Sequence, residues 1–214
     1  MNDFLTAAAL GIAALAVLMV VVGWVGRLLW RAAKKRIADF AIAGQPDTIE
    51  LSPVITPAWK EPERVEAWTR QLLTDGFQPA GLYVVKELGG VALAGFVDPG
   101  RGLLASIAQH GKHLFVDFVA EDDDSRKVVN YTNAPETGLV DPTWKTTVTL
   151  TGEEPSIVHA AFVRDLPLSR RPIAVTEFKS LFEQHWKREI AWRKQRGGTV
   201  EEVDAITSRM SQAD

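Results

Sequence analysis

His110 and His113 are the only closely spaced histidines in the chain, in the pattern H-x-x-H. Two neighbouring imidazoles suit zinc or another borderline metal, and His159 or Asp117 would be the residues to complete such a site. The pair straddles a turn, His110-Gly111-Lys112, and a strand start, whereas the H-E-x-x-H proteases place both histidines on one helical face. His110 and His113 are therefore weak metal candidates, and no metal or cofactor is assigned.

Other reactive residue types give less. Glu121 to Asp124 is an acidic run with the oxygen ligands calcium takes, but without the alternation, central glycine and distal glutamate of an EF-hand. It reads as a solvated turn. Asp98-Pro99-Gly100-Arg101-Gly102 lacks the lysine or hydroxyl of a phosphate loop and reads as a β-turn. Neither Ser106 nor Ser156 sits in a G-x-S-x-G elbow. Zero cysteines exclude a thiol nucleophile, disulfides and cysteine-bound zinc or iron–sulfur clusters. Asn130-Tyr131-Thr132 matches a glycosylation acceptor, which matters only outside the cytosol.

The strongest interaction candidate is the basic, aromatic stretch Trp186, Lys187, Arg188, Trp192, Arg193, Lys194 and Arg196. Arginine beside aromatic rings is favoured at interfaces, and cations also suit a helix carboxyl end. We read these residues as a possible partner surface.

The elements that must carry these residues begin with Phe4 to Gly26, an uncharged, proline-free apolar run. As a helix rising about 1.5 Å per residue it would cross a hydrocarbon core of roughly 30 Å. Trp24, Arg27, Trp30, Arg31, Lys34, Lys35 and Arg36 follow as a membrane-interface set, with the helix continuing to about Ala41. Their charge puts the amino terminus outside and the rest of the chain in the cytoplasm. Small residues such as Ala7 and Gly11 would let two anchors self-associate.

Of 24 basic and 27 acidic residues, the five just named and Asp3 precede residue 37, so residues 37–214 hold 19 and 26 and carry −7. That sign disfavours nucleic acid as a partner.

The remaining organisation is residues 1–26 as anchor, 27–44 as basic juxtamembrane helix and 45–60 as a tether or edge strand. An α+β domain over 61–198 and a short helix over 199–214 complete it. Within the domain, Glu61-Pro62-Glu63 opens a helix with a stripe of Val65, Trp68, Leu72 and Leu73. Six short β-rich runs between residues 81 and 150, with a turn or loop signal between each, predict an antiparallel meander. Glu154-Pro155 starts another helix, Thr176 reads as the N-cap of the longest one, and Thr199 with Glu202 forms a capping box.

Helices over 61–75 and 176–196 are expected to cover one face of the sheet, giving two layers on a membrane stalk. The reading is a single-pass membrane protein, non-enzymatic before catalytic, acting as an accessory or protein-interaction subunit with the lipid bilayer and a membrane protein as partners. A membrane-tethered hydrolase using histidine with Asp117 or another carboxylate, or a small-ligand or lipid-headgroup sensor, is the alternative. A concave face on the sheet would favour the alternatives over a flat one.

Overall fold

Seven strands lie in one sheet in the order of the sequence: β1 (Ser52–Pro53), β2 (Gln78–Val85), β3 (Val91–Asp98), β4 (Leu103–His110), β5 (His113–Glu121), β6 (Val128–Thr132) and β7 (Lys145–Thr149). The structure is a computed structural model, and it describes residues 24, 26, 27, 29–167 and 169–210. Among the described residues the helices from residue 62 onward are α2 (Pro62–Thr74), α3 (Pro155–Arg164), α4 (Phe178–Arg196) and α5 (Val200–Met210). An earlier helix, α1, covers residues 29–43, and 24, 26 and 27 are helical too. The chain divides into two units, Gln45–Gln195 and Met1–Gly44 with Arg196–Asp214. The class is α+β, as its alternating turn and strand signals predict.

Each strand from β1 to β6 pairs antiparallel with its neighbour. The last pairing departs from the expected meander, because β7 runs parallel to β6, with Val128 opposite Lys145 and Thr132 opposite Thr149. A parallel return needs a crossover of about a dozen residues, usually a helix. Here residues 133–144 make it as a loop, held where Asp141 Oδ2 accepts the Thr147 amide at 2.7 Å.

The layering also differs from expectation. α2 and α3 cover one sheet face, packing Trp68, Leu72, Val158 and Phe162 against Phe96, Ile107, Val116 and Phe118. α4 lies over the other, where Phe178 joins Leu93, Val97, Leu104 and Ala108. The sheet is thus sandwiched, and the two-layer arrangement is corrected to three. The cause is visible in β3, whose eight residues are all buried. A strand buried on both sides cannot alternate apolar and polar, and one helical layer cannot cover it. Gly95 marks the closest approach of α4, since a Cβ there would lie 2.3 Å from the Phe178 ring.

Residues 45–60, expected as a tether that forms an edge strand or a linker pressed on the domain, are packed on it. Ile49 and Leu51 are buried with the α4 layer, β1 pairs with β2, and Glu183 accepts the Leu51 amide at 2.8 Å. Before α4, residues Val175–Glu177 form a 3-10 turn in which Glu177, rather than Thr176, caps by accepting the Ala174 amide at 2.8 Å.

The smaller unit brings α1 and α5 together. Asp39 accepts the Gly198 amide at 2.9 Å, Lys35 donates to the Gly198 carbonyl, and Lys34 pairs with Asp204. The Thr199–Glu202 capping box forms, with bonds of 3.2 and 2.9 Å. Among the described residues no helix is long and apolar enough to cross a membrane. The expected span over residues 4–26 lies, apart from Trp24 and Gly26, outside the described residues.

Candidate functional site

Between α4 and the sheet lies a cavity of about 280 Å³. Its floor follows from strand register. On the face beneath α4, Ser106, Asp117, Thr132 and Thr149 stand side by side across β4 to β7. The next row is Leu104, Val119, Asn130 and Thr147, and the third places Glu121, Val128 and Lys145 in line. Residues two apart share a strand face, so hydrophobic β3 and β4 grade into polar β6 and β7 along one surface. The roof is α4: Phe178, Phe182, His185, Trp186 and Glu189 recur at helical spacing and line the cavity. Trp144, from the end of the crossover loop, closes one side.

The charges of this site are arranged unequally. Lys145 Nζ donates to Glu189 Oε2 at 2.7 Å, and Arg193 donates to the other oxygen at 2.6 Å. Burial works to raise the Glu189 pKa, but Lys145 and Arg193 overcome it and hold the carboxyl below its ordinary value. Asp117 has no such partner. It keeps some accessible surface because it faces the cavity, yet protein encloses the carboxyl, and burial pushes its pKa up to about 6. The Thr132 hydroxyl and the more distant Lys145 pull the other way without prevailing. Asn130 Oδ1 and Thr147 Oγ1 are buried without a hydrogen-bond partner. Buried polar atoms are ordinarily paired, so these two stand ready to accept a bond or donate one.

At one end, Glu121 receives His185 at 3.3 Å and Arg126 at 3.0 Å, with Arg188 at 3.6 Å. The hydrogen bond from His185 and these cations hold the Glu121 pKa down against burial. Arg188 also lies over the Trp144 ring, 3.8 Å from its centre. The ring that walls the cavity is therefore fixed from behind.

The residues singled out from sequence fall in several places. His110 and His113 face each other across the β4–β5 turn, both exposed. Asp117 is four residues along β5, roughly 13 Å away at ~3.3 Å per residue. His159 lies under α3 on the opposite sheet face, 3.0 Å from Asp75 and stacked on Phe118. The four do not converge, and among the described residues no three histidine or acidic groups are placed to hold a metal ion.

Asp122 accepts the Ser125 amide and hydroxyl at 2.7 and 2.9 Å, so the acidic run is engaged in its own turn. Asp98 likewise closes the 98–102 turn by accepting the Arg101 amide at 3.0 Å. Ser106 reaches the cavity, whereas Ser156 is exposed on α3.

The basic stretch of α4 is distributed among separate contacts. Trp186 donates to the Pro46 carbonyl at 3.1 Å and lines the cavity; Arg188 and Arg193 serve Glu121 and Glu189; Lys194 pairs with Asp47 at 2.7 Å. Lys187 is exposed, Trp192 is half-buried, and Arg196, in the smaller unit, pairs with Glu202. Trp24 and Arg27 are exposed, as are Trp30, Arg31, Lys35 and Arg36 on α1, and Lys34 is half-buried.

Asn130, Trp144, Lys145 and Glu189 were not foreseen as site residues. The available signal was polar side chains at core-facing strand positions, above all Asp117 amid the apolar β5. Together these features define a mixed-sheet domain with a roofed, half-polar cavity. No protein-family model, curated protein or solved structure matches the chain.

Proposed function

We propose that this chain is a single-pass, membrane-anchored protein whose domain binds a small ligand in the cavity beneath α4. The observation that carries the reading is the cavity itself: apolar rings on one side, and on the other a few polar side chains, among them the Asn130 Oδ1 that is buried without a partner. Ligand sites typically combine an apolar lining with a few placed polar groups. Its size lies at the small end of the ~300–1,000 Å³ usual for ligand pockets, so it suits a small molecule rather than a peptide or a lipid chain. A hydrolase finds less support, because His110 and His113 are exposed at the β4–β5 turn, His159 pairs with Asp75 on the other sheet face, and His185, which does line the cavity, is held by Glu121 rather than by Asp117. An accessory surface on α4 also finds less, because Arg188, Arg193 and Lys194 are engaged by Glu121, Glu189 and Asp47 within the domain.

The test uses the full chain in lipid nanodiscs. In ligand-observed NMR, small aromatic fragments should compete for one site and cross-relax with the Trp144 and Trp186 ring protons. A library of such fragments that yields no binder with these contacts would overturn the ligand-binding reading.

A separate observation supports the membrane part. Leu29, Trp30, Ile37 and Phe40 are 67%, 63%, 61% and 82% exposed, and with Ala33 they form one apolar stripe along α1. Lys34 and Arg36 flank the stripe, the pattern of a helix whose greasy side meets lipid and whose cations reach headgroups. The basic set after residue 26 favours an external amino terminus and a cytoplasmic domain. In intact cells, an amino-terminal tag should therefore be accessible to an impermeant label and a carboxyl-terminal tag shielded. The opposite labelling would reverse the orientation, and release by alkaline carbonate would remove the anchor.

A further inference from the structure

Resting on the ligand-binding reading, we propose that the cavity beneath α4 selects a small organic cation, a monoamine or quaternary ammonium with a short apolar body. The argument is one of charge and chemistry. Among the groups lining the cavity, Lys145 and Glu189 satisfy each other at 2.7 Å, and Arg193 approaches Glu189 from outside the lining. His185 is turned to Glu121 at 3.3 Å. Asp117 is left as the carboxylate whose oxygens have no cation in contact among the described residues. A ligand bearing positive charge supplies the missing partner, while an anion would meet Asp117 as a like charge in an enclosed space.

The neighbours of Asp117 fit the same occupant. Ser106 stands next to it across β4 and can accept a hydrogen bond, as can the unpartnered Asn130 Oδ1 one row away. A protonated primary amine presents three donors, so these oxygens match it in kind, whereas a quaternary ammonium would draw only on the charge and the rings. Phe178, Phe182, Trp144 and Trp186 provide aromatic surface, which attracts cations through the ring quadrupole and also packs an apolar body. A carboxylate with aromatic walls is selective for a cation over a neutral molecule of the same shape, because only the cation draws on both.

The experiment compares 2-phenylethylamine with its neutral twin 2-phenylethanol and with phenylacetate, by isothermal titration calorimetry. The full chain is held in nanodiscs of zwitterionic lipid, and heats from empty nanodiscs are subtracted. The amine is expected to bind at least tenfold (~10-fold) more tightly than the alcohol, and phenylacetate more weakly than either. Asp117→Asn should erase the amine's preference while leaving the alcohol's affinity within ~3-fold, a result that also shows the variant cavity to be intact. Should that variant fail to fold, the amine-to-alcohol ratio of the unaltered chain still decides the matter.

Equal affinity for amine and alcohol, or a preference for phenylacetate, would overturn the cation inference and leave a ligand-binding cavity standing. Binding by none of the three, nor by fragments in the NMR screen, would overturn both.

Discussion

Replacing Glu189 with alanine is expected to be the most damaging single change in the domain, costing about 3–5 kcal/mol. The carboxylate is the common partner of Lys145 and Arg193, and those side chains are only 16% and 6% exposed. Removing it strands two cations in a poorly solvated place, and a buried charge without its counter-ion costs more than the pair ever contributed. At roughly 2–4 °C per kcal/mol for a domain of this size, the midpoint should fall by ~6–20 °C. Near-UV circular dichroism of the full chain in mild detergent would register the change. Glu189→Gln should fall between the two, because it retains shape and acceptor oxygen but not charge. A midpoint for Glu189→Ala within about a degree of the unaltered protein would mean that water reaches both cations freely.

The opposite sign is expected at Asp117. Its folded-state pKa of about 6 lies above the ordinary value of 3.8, so the folded protein holds this proton more tightly than the unfolded chain does. Stability from the group is fully present below about pH 3.8 and is lost as pH rises through about 6. The separation corresponds to at most ~3 kcal/mol at neutral pH, taking ~1.4 kcal/mol per pH unit. Asp117→Asn should accordingly be more stable than the unaltered protein at pH 8, by ~1–3 kcal/mol, with the gain shrinking towards pH 4. Thermal melts of both proteins at pH 4, 6 and 8 would check it. A variant less stable at pH 8 would show that the carboxylate already has a partner, and would remove the case for a cationic ligand. If the gain appears, the carboxylate persists at a cost in stability, which is what a binding group in an empty site should do.

Much of the scaffold is legible because turn chemistry punctuates it. Gly89-Gly90, Asp98-Pro99-Gly100 and Gly111-Lys112 separate runs that do become β2 to β5, and Pro62 and Pro155 stand at the starts of α2 and α3. Layering is less legible, since α4 mixes signals: it turns Glu189 and Arg193 inward along with Phe178 and Ile190, so its polar residues do not mark a wet face. The clue lay instead in Val91–Asp98 and Leu103–His110, whose near-continuous apolar character demands cover on both sides. The parallel β7 escaped because a loop of the minimum length replaced the helix that normally reveals a crossover.

The site was hidden for a related reason. Ser106, Asp117, Asn130 and Lys145 are scattered over four strands, and only their register aligns them. The seven candidates of the basic stretch lie close in sequence, but in the fold Arg188, Arg193, Lys194 and Arg196 each serve a different acid.

That α4 follows all seven strands in the chain has a consequence for biosynthesis. Some 46 residues separate Thr149 from Gln195, so translation at ~5–20 residues per second leaves the surface beneath α4 bare for roughly 2–9 s. Ser106, Asp117, Thr132 and Thr149 interrupt what would otherwise be a sticky nascent sheet, and a charged residue in such a row deters pairing with a neighbouring polypeptide on the same ribosome cluster.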